Sequence, residues 1–214
     1  MAEAIPPRDA PFEPGRTALL LVDMQKVWLD RAAGAEHGTP EPDPFYATTA
    51  EVTIPACARL LAAARAAGVE VLHTILQSLT ENGRDRSLDH KMTPIHLAKS
   101  DTDAQPIAAL APLGDEIVVP KTSSGVFNST NIDYVLRNLG VRYLIVAGCL
   151  TDQCVDSTVR DACDLGYLVT VPTDACLTLT SERHEWSLRN NRGYCRQRTT
   201  AVLVEEINRL GTER

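Results

Sequence analysis

The strongest constraint on the fold is a recurring aliphatic run that leaves no wet face. From Ala18 to Val22 every residue is apolar, and the run stops at a carboxylate, Asp23. A strand with one solvated face alternates polar and apolar residues. A run apolar on both faces suits a strand inside a parallel sheet covered on both sides. Similar runs recur at 69–75, 116–120, 143–147 and 167–171. A further one, 199–204, fits either a sixth strand or a helix.

Helical patterns lie between the runs. Residues 54–67, 131–139 and 152–165 carry apolar residues at helical spacing, and each stretch meets a glycine stop at Gly68, Gly140 or Gly166. Ser181 opens another, with Glu182 and Glu185 near its start, where the helix dipole favours negative charge. This alternation predicts an α/β fold: a doubly wound, three-layer α/β/α arrangement around a central, mostly parallel sheet, with right-handed crossovers. The whole chain, 1–214, reads as one domain with an extended segment over 1–15. Two polar stretches, 30–50 and 77–106, are too long for plain connections and are expected to line or cover a site.

Composition narrows the partners. The formal net charge of −7 offers no basic surface for nucleic acid or an anionic membrane. No apolar run is long enough to span a bilayer, and the first residues lack a secretory signal pattern, so a cytoplasmic protein is expected. The six cysteines are Cys57, Cys149, Cys154, Cys163, Cys176 and Cys195. A core-rich chain does not need a disulfide framework, and reduced thiols are expected. Metal ligation is not expected either. No Cys-x-x-Cys is present, and His73, His90 and His96 are not at ligand spacing.

In open α/β sheets ligands bind beyond the carboxyl ends of the strands. Three reactive residues fall there. Asp23 closes the first run, Lys121 follows 116–120, and Cys154 sits in the first turn of the helix after 143–147. A thiol at a helix N-terminus beside an ammonium is expected to have a lowered pKa. A carboxylate could take its proton and return it to a leaving amine. Taken singly, each residue has a plainer reading: Asp23 as a helix cap, Lys121 as a surface charge, Cys154 as core.

Leu19-Leu-Leu-Val-Asp-Met-Gln25, Lys121-Thr-Ser-Ser-Gly-Val-Phe127 and Ala147-Gly-Cys-Leu-Thr-Asp-Gln-Cys154-Val-Asp-Ser-Thr-Val-Arg-Asp-Ala162 resemble, in order and spacing, the motifs of the isochorismatase-like cysteine hydrolases. The resemblance implies that family's three-layer fold. It also implies Cys154 as nucleophile, Asp23 as general base and then acid, and Lys121 as the cation holding the pair. A non-proline cis peptide before Leu150 is implied, with the N–H groups of Leu150 and Cys154 as oxyanion hole. The implied reaction is acyl transfer from a small linear amide, ureide or carbamoyl compound with release of ammonia and no cofactor. A homo-oligomer, dimer or tetramer, is expected on the same ground.

Family members that act on nicotinamide carry an Asp and paired histidines for a metal after the second strand. The corresponding stretch here has no His-x-x-x-His, so neither metal nor nicotinamide is expected. It holds Arg84, Arg86 and Lys91 instead, which could meet a substrate carboxylate or ureido group. Trp28, Gln77, Phe45, Tyr46 and Phe127 are the other candidate pocket residues. Alternative readings are a vinyl-ether hydrolase, which in this family does without the cysteine, a non-catalytic scaffold, and a redox pair of Cys149 and Cys154.

Overall fold

The computed structural model describes residues 5–38 and 41–212; the first four positions of the expected N-terminal segment lie outside them. Among the described residues seven strands form one sheet, and every strand pairing is parallel. β1 (Thr17–Val22), β2 (Glu70–Leu76), β3 (Ile117–Lys121), β4 (Tyr143–Cys149), β5 (Leu168–Pro172) and β7 (Arg196–Arg198) stand in the order β3-β2-β1-β4-β5-β7. The two-residue β6 (Cys176–Leu177) pairs with the end of β4. Strand order reverses between β1 and β4, which opens a crevice at their carboxyl ends.

The aliphatic runs explain the layering. All six residues of β1 are buried. Leu19 and Leu21 enter a core with the helices Ile54–Ala66 and Thr200–Thr212. Ala18, Leu20 and Val22 enter a second core, on the other face, with the helices Ile132–Asn138 and Asp156–Asp164. Side chains alternate between faces along a strand, so a strand covered twice must be apolar throughout. Each buried aliphatic side chain contributes about 1.5–3 kcal/mol to this packing. β3 lies at the sheet edge, which is why it tolerates Pro120 and an exposed alternate face.

One open reading is settled and one expectation is corrected. Of the two readings of 199–204 the helix holds, as the start of Thr200–Thr212: Leu203, Ile207 and Leu210 recur at helical spacing and are buried against the first core. The strand is Arg196–Arg198 just before it, a polar edge segment without an apolar run. The stretch 30–50 is largely helical, with Arg31–Glu36 and Asp43–Thr48; Asp30 caps the first by accepting from the N–H groups of Ala32 and Ala33. Residues 39 and 40 of that stretch lie outside the described ones. The stretch 77–106 stays mostly irregular around one short helix, Leu88–Met92. Among the described residues no helix is long and apolar enough to cross a membrane.

Candidate active site

Sheet register brings the reactive residues together. Val22 pairs with Thr74 on one side and with Gly148 on the other, and Leu76 pairs with Lys121. β1, β2 and β4 therefore end side by side, and Lys121 reaches across β2 from the edge. Gly148 permits the close approach: with φ +124°, a Cβ there would lie 2.1 Å from the Val22 carbonyl oxygen. Asp23 leaves β1 with φ +55°, a left-handed turn that Asp tolerates better than most residues. Its N–H donates to the Thr74 carbonyl at 3.1 Å, and the Cys149 thiol donates to its carbonyl at 3.2 Å.

The three side chains form a buried cluster. Asp23 and Lys121 are an ion pair with Oδ2 and Nζ 2.8 Å apart, both essentially sealed from solvent. Lys121 Nζ also donates to the Ser123 carbonyl at 2.8 Å and to Cys154 Sγ at 3.4 Å. Thr74 Oγ1 donates to Asp23 Oδ1 at 3.0 Å. Asp23 Oδ2 makes no regular hydrogen bond within the protein despite its ion pair, so it keeps acceptor capacity. Burial alone would lower the Lys121 pKa, but Asp23 and Cys154 outweigh it and the net shift is upward. The ammonium is therefore fixed as a cation.

Cys154 departs from the lowered thiol pKa expected at a helix start. Burial pushes it up to about 12, and the negative charge of Asp23 pushes the same way against Lys121. The local backbone differs too. Thr151–Val155 is a π-helical turn, and the α-helix begins only at Asp156. The resting group is thus a thiol.

The peptide bond Cys149–Leu150 is cis. The N–H groups of Gln153 and Val155 both donate to the Leu150 carbonyl, and Thr158 Oγ1 donates to the Cys154 carbonyl at 2.6 Å. His184 Nδ1 is 2.8 Å from Thr151 Oγ1, and Ser187 Oγ donates to the Thr151 carbonyl at 2.9 Å. Leu150 and Cys154 both border a cavity of about 240 Å³.

The cavity separates the sequence-based pocket candidates. Trp28 and Phe45 line it. Gln77 does not: its amide is tied to the carbonyls of Ala98, Lys99 and Asp101. Arg84 bonds the Asn82 side chain, and Lys91 Nζ donates to the Arg84 carbonyl; both bonds lie at the exposed surface. Phe127 packs on Tyr167, with ring centroids 5.9 Å apart, in the second core. Long charged side chains on a loop satisfy local carbonyls first, and spacing cannot reveal that. Tyr46 stays behind Phe45, edge to face at 5.6 Å.

Sequence reasoning missed the residues that build the wall. Glu41, His90, Thr93, Ser124 and Gln153 all line the cavity. His90 is buried, and burial together with Lys121 lowers its pKa, so it faces the cavity as neutral imidazole. Gln25 is fully buried and joins three segments. Its Nε2 donates to the carbonyls of Leu76 and Ala104, and its Oε1 accepts from Leu76 N–H and from Trp28 Nε1. His73 is a strand residue set against Glu116, 3.3 Å away. Among the described residues one group offers metal-type donors, His37 with Asp101 and Asp103. These join the two long segments, and none of them borders the cavity. All six cysteines are free.

The isochorismatase domain model matches residues 17–203. The chain belongs to the isochorismatase family. Within that family it is 32% identical over 195 residues to a ureidoacrylate amidohydrolase RutB of Agrobacterium fabrum, covering 80% of this chain and 81% of the relative. A ureidoacrylate amidohydrolase RutB of Variovorax paradoxus is 35% identical, with 81% and 74% covered. The solved cysteine hydrolase from Pseudomonas syringae pv. phaseolicola superposes with a TM-score of 0.84 at 28% identity, over 98% of this chain and all of that one. The isochorismatase-family chain is accordingly a hydrolase acting on carbon–nitrogen bonds other than peptide bonds.

Proposed function

We propose that the chain hydrolyses small linear amides or ureides through a thioester on Cys154. The observation that carries this reading is the Lys121–Asp23–Cys154 cluster beside a cavity of about 240 Å³. When a carbonyl carbon settles near Sγ, Asp23 takes the thiol proton and the sulfur attacks. The N–H groups of Leu150 and Cys154 hold the oxyanion that forms. Asp23 then delivers its proton to the nitrogen, and ammonia or an amine leaves. A water molecule gives a proton to Asp23 and attacks the thioester. Collapse releases the acid, and the departing sulfur recovers its proton. Lys121 pairs with Asp23 in the resting state and offsets negative charge as it shifts onto sulfur.

The test is ammonia release from a panel of short primary amides and ureides. Wild type is expected to release ammonia, and Cys154→Ala to lose about a thousandfold or more in kcat/KM. Equal release by Cys154→Ala would remove the nucleophile, and silence of wild type across the panel would remove the reaction.

A further inference from the structure

A ureidoacrylate carries a carboxylate, and a site that selects one normally presents a cation, most often the forked guanidinium of Arg. This cavity presents none among the described residues. Arg84 and Lys91 are engaged at the surface. Arg86 donates through Nε to the Gly83 carbonyl and through Nη1 to the carbonyls of His90 and Ile95, behind the wall. Lys121, which contacts the reacting groups, is matched by Asp23 and sealed from solvent.

What the wall does present is a second carboxyl. Glu41 lines the cavity together with the apolar side chains of Trp28, Phe45, Leu76 and Leu179. Its N–H donates to Tyr46 Oη at 3.2 Å, which anchors its backbone beside Phe45. The guanidinium nearest in effect, Arg183, is committed to Asp152, with Nε and Oδ2 2.5 Å apart. Burial draws the Glu41 carboxyl upward and Arg183 opposes this. As a carboxylate, such a group has only acceptors to set against a substrate carboxylate, whereas it accepts readily from an ammonium or amide N–H.

We propose that this cavity takes amides and ureides whose acyl portion is neutral or carries an amine, and that Glu41 turns away carboxylate-bearing ones. The inference rests on the amidohydrolase reading and names its substrate class. Repulsion between like charges inside a low-dielectric cavity gives discrimination at a single residue.

The experiment compares kcat/KM for ammonia release from butyramide, 4-aminobutyramide and succinamate, which share a chain length and differ in the terminal group. Wild type is expected to favour both butyramide and 4-aminobutyramide over succinamate by about tenfold or more. Glu41→Gln is expected to raise the succinamate-to-butyramide ratio by about threefold or more, and Glu41→Arg by about tenfold or more. A wild type that prefers succinamate overturns the proposal while leaving the amidohydrolase reading intact, as does a ratio unmoved in both variants. Absence of ammonia from all three compounds, and from the wider panel, sinks the amidohydrolase reading itself.

Discussion

β3 carries an ion cluster at each end, and the two are built differently. Just before its first residue, Glu116 accepts from Arg65 Nε at 2.7 Å, Arg65 Nη2 at 2.8 Å and Leu113 N–H at 2.9 Å, with His73 Nε2 at 3.3 Å. Arg65, helped by Leu113 and His73, holds the Glu116 pKa down at about 2 against burial. Both carboxylate oxygens there have hydrogen-bond partners, and no nucleophile stands beside them. At the other end Lys121 meets an aspartate with acceptor capacity to spare, a thiol, and a cavity. Buried charge alone therefore does not mark a site. An incompletely satisfied acceptor beside a nucleophile and an opening does.

Breaking the carboxyl end of β3 has the largest expected effect. Asp23→Asn removes the proton acceptor, and kcat/KM is expected to fall by about 10²–10⁴-fold. Lys121→Met leaves Asp23 buried without its cation and is expected to cost about 3–5 kcal/mol in denaturant unfolding. A cost under about 1 kcal/mol would mean the pair is not the buried ion pair described here.

The amino end is expected to trade stability and not activity. Glu116→Gln should cost about 1–3 kcal/mol at pH 7 while kcat/KM stays within about threefold. The folded carboxyl titrates at about 2, below its ordinary 4.5. Its contribution is thus complete above 4.5 and is lost as pH falls through about 2. The gap between wild type and Glu116→Gln should narrow over that window in equilibrium unfolding. A gap that is constant with pH would break the contrast. The smallest effect is expected for Arg84→Ala and Lys91→Ala, whose charges stay outside the cavity. Both should leave kcat/KM within about twofold and stability within about 0.5 kcal/mol.

The layers and the reactive corner were legible in the sequence because they are local. Uninterrupted apolar runs such as Ala18–Val22 report a doubly covered strand, and strand ends report where reactive side chains gather. The cavity wall was not legible. Glu41 and His90 come from long polar segments held by contacts distant in sequence or peculiar to the folded loop, such as Gln25 on the Leu76 and Ala104 carbonyls and Tyr46 Oη on the Glu41 N–H. The raised thiol pKa of Cys154 was hidden for a similar reason. A helix start and a nearby ammonium argue for a thiolate, and only the folded site shows burial and Asp23 winning.

The most direct test of the central claim is partition of the acyl group between water and hydroxylamine, using butyramide and N-methylbutyramide. A shared thioester on Cys154 predicts one hydroxamate-to-acid ratio from both substrates, with neither product formed at an appreciable rate by Cys154→Ala. A ratio that follows the leaving amine, or hydroxamate made equally well by Cys154→Ala, would contradict the account.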